Sequence, residues 1–344
     1  MREPTLLEKL LLVETDQEAE NLLKEIIRSD PTNVVACLKL GDILRNKGQY
    51  IDALKLHKSL LINSSYMPVW LKEKVYVSII KDYLGANKPA LTLQFIGDLR
   101  KLGREDIEFL KFLCSLYEDL SAWEEAIQLK QRILKLTDES DDRGIAVLYA
   151  FWGNSLIKDS SPREGVKRLK EALRFDSFCL PALLFLGDFH YESGEIDEGI
   201  RLWEEILTNV PDYAFLVFER LENAYYRKHE MPKLETLYSS FLARSPENVS
   251  VLLLLSEIYE KKGQDREAIE ILEKAREIEP QNVQVHKRLL KLYYDTKQYD
   301  RTFEEGEKIS AIVDFKPFKC YKCGIKFDEF KFKCPECNSW ITIR

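Results

Sequence analysis

A chain of 344 residues that is 45% hydrophobic and 32% charged carries enough apolar matter for a buried core, which argues against a disordered polypeptide. Its formal charge of −7 argues against phosphate-driven nucleic-acid binding, which needs clustered Lys and Arg. The N-terminal apolar run Leu10 to Val13 falls far short of the roughly 20 residues that span a bilayer, and Glu3 and Glu8 interrupt any signal-peptide core. No later segment qualifies, so the expected location is cytoplasmic. The separation of Cys37, Cys114 and Cys179 fits a reducing compartment.

In chain order the sequence predicts about nine helix pairs, starting near residues 4, 33, 69, 105, 143, 180, 213, 248 and 282. Pro31, Pro211, Pro246 and Pro280 each stand three residues before a new helical pattern, the last two 34 residues apart. Small residues recur in the first helix of the units at Gly41, Ser78, Cys114, Gly153, Gly187 and Ser256. A second series follows twelve residues later at Ala53, Ala90, Ala126, Gly165, Gly199 and Ala268. Small residues let two antiparallel helices approach, and stacked pairs then bury a core that no single pair could bury. Gly48, Gly194 and Gly263 fall where a helix end favours the left-handed conformation. The unit at 213–245 breaks the second series with Lys233 and Leu234. The pattern resembles the tetratricopeptide repeat, which implies an all-α superhelix that binds proteins or peptides.

In such arrays the first helix of each pair lines the concave side. One slot there holds Asp42, Asp188, Glu222 and Glu257, and the slot three residues on holds Tyr191, Tyr225 and Tyr294. The expectation is a partner groove for a peptide with basic and apolar side chains; an ordinary solvated face is the alternative. His57, His190, His229 and His286 form no metal pair. There is no Gly-x-Ser-x-Gly, phosphate-binding glycine loop or His-Glu-x-x-His. The chain therefore reads as a binding protein and not as an enzyme.

The last segment carries Cys320-x-x-Cys323-Gly and Cys334-Pro-x-Cys337, with ten residues between the pairs. Two such turns aim four thiolates at one ion. Zinc suits this donor set, and a single iron, as in rubredoxin, is the alternative. Paired disulfides fit less well, because the chain has no secretory feature. With every position filled by protein, the metal reads as structural. The expected domains are a repeat array over 1–314 and a metal-binding knuckle over 315–344, too small to fold without its ion. Phe318, Phe327, Phe330, Phe332 and Trp340 are expected to shield the site and dock it on the last helices. Residues 315–344 carry a balance of +4 against −11 for the remainder, which favours electrostatic docking on the acidic body.

The two cysteine turns, the ten-residue hairpin and the following Trp340-Ile341-Thr342-Ile343 resemble the rubredoxin-type C-terminus of the lipopolysaccharide assembly protein B family. That family also carries about nine tetratricopeptide units. The resemblance implies an adapter that helps a membrane protease degrade the deacetylase committing cells to lipid A synthesis, with Cys320, Cys323, Cys334 and Cys337 as the matching residues. The family's N-terminal membrane anchor is not evident in this sequence, so the expected membrane contact is through a partner. Two other readings stay open: a rubredoxin-like electron carrier, and a repeat scaffold associated with nucleic acid.

Overall fold

The computed structural model describes residues 16–62, 67–311 and 318–343. The first helix of the pair expected near residue 4, and the expected division at 314/315, lie outside them. The described residues fall into two compact units, divided in sequence between Ala122 and Trp123, with the cysteine knuckle in the second. Each unit is built of antiparallel helices, as the period predicts.

The first unit contains the helices Asp16–Ser29, Val34–Asn46, Tyr50–Ser59, Val69–Gly85, Pro89–Arg100 and Ile107–Asp119. Its core joins Leu23, Ile26, Ala36 and Leu40 to a neighbouring cluster of Cys37, Leu38, Val75, Ile79 and Tyr83. The second unit begins with Trp123–Thr137. It continues with paired helices Asp142–Lys158 and Pro162–Phe175, Leu180–Glu192 and Ile196–Asn209, Phe218–Arg227 and Met231–Arg244, Val249–Lys261 and Asp265–Ile278, and Val283–Asp295 and Tyr299–Ala311.

The prolines owe their spacing to helix starts. In Pro31-Thr-Asn33, Pro246-Glu-Asn248 and Pro280-Gln-Asn282, the asparagine side chain accepts a backbone N–H of the first turn. Pro211 behaves differently. It opens a 3-10 segment, Pro211–Leu216, and the α-helix expected at 213 begins only at Phe218. Tyr213 interrupts that segment with φ −113° and ψ 15°, and its hydroxyl is drawn to the knuckle.

Turns within pairs repeat one geometry. Gly48, Gly194 and Gly263 have φ of 76°, 88° and 72°, and Asn87, Ser121, Ser160, His229 and Lys297 hold the same left-handed position in the other turns. The residue after each donates its N–H five residues back, as in Gln49 to Leu44, Glu195 to His190 and Gln298 to Tyr293. The small residues also act as expected. A Cβ on Gly153 would lie 2.7 Å from the carbonyl oxygen of Gly165, and one on Gly165 would lie 2.6 Å from that of Gly153. A second partner was not foreseen: sixteen residues on from the small position, His57, Leu169 and Trp203 lie against Gly41, Gly153 and Gly187.

Two buried histidines have structural roles. His57 Nδ1 meets Asp82 at 2.5 Å, with Arg45 on the other carboxylate oxygen. His286 meets Glu305, which also pairs with Arg276 and Lys308.

Candidate metal centre and its aromatic seat

The knuckle is a pair of matched turns. Phe318–Lys319 pairs antiparallel with Lys326–Phe327, and single bridges join Cys320 to Ile343 and Lys333 to Trp340. In the first turn the Gly324 N–H donates to the Cys320 carbonyl and the Cys320 N–H to the Ile325 carbonyl. In the second the Asn338 N–H donates to Cys334, and the Cys334 N–H to Ser339. The residue after the second cysteine is left-handed in both, Gly324 at φ 80° and Asn338 at φ 54°. Asparagine tolerates that region, so the second turn closes without glycine. Gly324 and Pro335 mark the turns in the sequence, whereas Asn338 carries no such signal.

The four sulfurs lie within 4.8 Å of one another. Cys320 and Cys337 are 3.8 Å apart, and Cys323 and Cys334 are 3.7 Å apart. A tetrahedral ion with metal–sulfur bonds of about 2.3 Å requires sulfur–sulfur edges of about 3.8 Å, so the donor set fits such an ion. The surroundings treat the thiols differently: the Ile325 amide lowers Cys323, but burial and the neighbouring Cys320, Cys334 and Cys337 sulfurs outweigh it and push that thiol up to about 12. Burial raises the Cys320 thiol, but the Thr342 hydroxyl at 3.2 Å and the amides of Cys323 and Lys322 bring it down to about 6. The Ser339 hydroxyl and amide hold Cys337 below its ordinary value.

Around the sulfurs, Ile343, Phe318, Phe327 and Phe330 form a small apolar shell. A second aromatic layer seats the knuckle on the repeats. Trp340 packs on Phe151 with ring centres 4.7 Å apart, and Phe332 meets Phe151 at 5.6 Å and Phe185 at 6.0 Å. Phe330 lies 5.3 Å from Phe215, and the Tyr213 hydroxyl donates to the Ile341 carbonyl at 2.8 Å. The expected seat on the last helices is therefore corrected. It lies on the first helices Asp142–Lys158 and Leu180–Glu192 and on Pro211–Leu216. The contacts that make it are aromatic, where the charge balance had pointed to electrostatic docking; offset and edge-on ring pairs each contribute roughly 0.5–1.5 kcal/mol beyond their burial.

The expected acidic groove is also changed. Arg220 grips Asp188 with two hydrogen bonds of 2.6 and 3.0 Å, Lys261 meets Glu222 at 2.8 Å, and Arg288 pairs with Glu257. Each cation comes from the first helix of the following repeat, so the carboxylates belong to a ladder between repeats. In the first unit, Asp42 pairs with Arg45 of its own helix. Tyr225 leaves the strip altogether: it is 6% exposed, and its hydroxyl donates to Glu204 at 2.6 Å. Tyr191 packs on Trp203 and under Arg227, whereas Tyr294 is 62% exposed against Tyr299.

The chain is similar to several known proteins. A tetratricopeptide repeat family model matches residues 235–287. Lipopolysaccharide assembly protein B of Haemophilus influenzae is 23% identical over 97% of this chain and 87% of its own length. The Escherichia coli K12 protein of the same name is 21% identical over 97% and 86%. Among solved structures, MamA from Desulfovibrio magneticus RS-1 is 19% identical with a TM-score of 0.35, covering 50% of this chain and 96% of MamA. The Cut9–Hcn1 assembly is 15% identical with a TM-score of 0.33, covering 83% of this chain and 55% of that one. The cytoplasmic location expected from the sequence does not stand, because the lipopolysaccharide assembly relatives are inner-membrane proteins. Among the described residues, no helix is long and apolar enough to cross a membrane. With its tetratricopeptide-like helix pairs, its family match over residues 235–287 and its clustered cysteines, the chain is a protein-interaction scaffold similar over nearly its whole length to lipopolysaccharide assembly protein B.

Proposed function

We propose that the chain is an adapter in envelope synthesis that holds a biosynthetic enzyme where a protease can act on it. The observation that carries this reading is similarity along 97% of the chain to relatives named for lipopolysaccharide assembly, joined to a knuckle seated on the repeats. An extended helical array offers surface for two partners at once, and holding both raises the local concentration of one near the other. No reaction by the chain itself is needed.

Within this reading, residues 1–314 are the partner-binding array. Residues 315–344 are a structural domain in which Cys320, Cys323, Cys334 and Cys337 hold zinc. The client surface includes Asp42, Asp188, Tyr191, Glu222, Glu257 and Tyr294. Because the carboxylates at 188, 222 and 257 carry cations of the next repeat, this strip offers both signs of charge and suits a client with mixed charge. Tyr225 is not part of it.

The test is a census of proteins captured on the tagged chain from its own host, with the wild type beside Asp188→Lys/Glu222→Lys. Capture of an envelope-synthesis enzyme together with a protease is expected, with recovery reduced in the variant. If deletion of the gene leaves envelope-synthesis enzymes and lipopolysaccharide at their normal levels, the adapter reading fails. Elemental analysis tests the metal: zinc near one per chain is expected, and iron would replace the structural reading with an electron carrier.

A further inference from the structure

The four sulfurs do not share one environment. Cys320 and Cys334, the first cysteines of the two turns, are both 0% exposed. Cys323 is exposed and Cys337 half-buried. Cys323 is thus the most exposed of the four cysteine residues. Its near neighbour at 3.7 Å is Cys334, at the bottom of the opposite turn. The chain's other cysteines are different. Cys37, Cys114 and Cys179 are buried in the helical units and shielded from solution, whereas Cys323, which a metal would hold as thiolate in the reading above, is exposed to it.

We infer that Cys323 is a site of oxidation by hydroperoxides, with Cys334 as its resolving partner, and that this modification unseats the knuckle. The inference rests on the metal-holding reading above. The Cys323 thiolate attacks the outer peroxide oxygen; the O–O bond breaks, an S–O bond forms, and an alkoxide (hydroxide from hydrogen peroxide) leaves and takes up a proton. The Cys334 thiolate then attacks the sulfenic sulfur. A disulfide forms, hydroxide leaves, and a second proton makes water. Two thiolates have lost two electrons and the peroxide has gained them, giving an alcohol, or water, plus one water. The sulfurs must close from 3.7 Å to about 2.05 Å, a movement within one knuckle.

The consequence follows from the two layers. A disulfide leaves only Cys320 and Cys337 as thiolates, too few to retain a tetrahedral ion. The small apolar shell around the sulfurs cannot hold the turns unaided. Trp340, Phe332 and Phe330 then lose the frame that presses them on Phe151, Phe185 and Phe215. Oxidation therefore uncovers an aromatic surface on the first helices of the second unit.

The experiment uses the full chain loaded with zinc, with metal content measured first. Hydrogen peroxide is added stepwise. Free zinc is read with a chromogenic chelator, disulfides by peptide mapping, and exposure of residues 142–158 and 180–192 by hydrogen exchange. Zinc release is expected to track a Cys323–Cys334 disulfide at one peroxide per chain, with exchange rising in both helices and all three changes reversed by thiol reductant plus zinc. Retention of zinc at a large excess of peroxide, or a first disulfide that lacks Cys323, overturns the inference and leaves the metal-holding reading standing. Absence of metal from the reduced chain at the outset overturns both.

Discussion

Asn338 closes the second cysteine turn in the left-handed region, where an L-residue with a branched Cβ costs roughly 1–2 kcal/mol. Asn338→Val should weaken metal affinity by about tenfold, since about 1.4 kcal/mol is a factor of ten, while Asn338→Gly should leave it nearly unchanged. A competition titration against a chelator measures both, and equal affinities for the two variants would count against the turn geometry. Glu305 supplies a pH test. Burial raises its carboxyl, but His286, Lys308 and Arg276 outweigh that and hold it below its ordinary 4.5. A carboxyl depressed in the folded state stabilises the fold above its unfolded value, and that contribution is lost as pH falls through the folded one. The last helix pair should therefore loosen in acid below about pH 4.5. Glu305→Gln should be less stable than wild type at neutral pH, with the gap closing in acid. Hydrogen exchange across 283–311 reads this directly. At this scale the four cysteines were legible because ligand spacing is local. Asn338 was missed because its role depends on backbone conformation, and glycine is not the only residue that tolerates it.

The helix pair is the element in which sequence and structure agree most closely, because its period is set by packing that recurs. Small residues twelve positions apart mark where the two backbones approach, and Gly153 and Gly165 each abut the other's carbonyl oxygen. Backbone cannot yield as a flexible side chain can, so Gly165→Ala should cost about 1–3 kcal/mol in the second unit. Urea unfolding followed by circular dichroism is the measurement, and an unchanged midpoint would refute the close approach. The turns predict the opposite sign. Lys297, His229 and Ser160 occupy the position that Gly48, Gly194 and Gly263 fill elsewhere. Replacing each with glycine removes left-handed strain, less the extra chain entropy of glycine, for a net gain of about 0.5–1 kcal/mol. The helix start at 218 was placed early because Pro211 reads like the other prolines. Those are followed two residues on by an asparagine cap, whereas Tyr213 stands there and is held by the knuckle. The paired cations of the strip were legible in principle, since Arg220 and Arg288 lie one repeat beyond Asp188 and Glu257.

In the second unit, the chain's end folds back onto helices more than a hundred residues earlier. No periodic pattern records a contact of that kind, which is why the aromatic residues of the tail were recognised as a docking set while their seat was misplaced. Phe151, Phe185 and Phe215 look like ordinary repeat residues until Trp340, Phe332 and Phe330 are set against them. The seat and the cysteine cluster are coupled, because the residues that grip the repeats hang from turns organised by the sulfurs, so a metal held there would act on the seat. The helices of the unit have a separate source of stability, in a core of Leu183, Trp203, Ile206, Leu221 and Phe241 that contains no cysteine ligand. Chelation should accordingly release the knuckle and leave the repeats folded. The expected result is unchanged helical circular dichroism, with hydrogen exchange rising over 142–158, 180–192 and 211–216 but not over 265–278. Phe332→Ala should produce the same local exchange while metal binding is kept, since Phe332 meets the repeats and not the sulfurs. If chelation instead melts the whole second unit, the knuckle is part of its folding core, and loss of metal would unfold the repeats rather than uncover their aromatic surface.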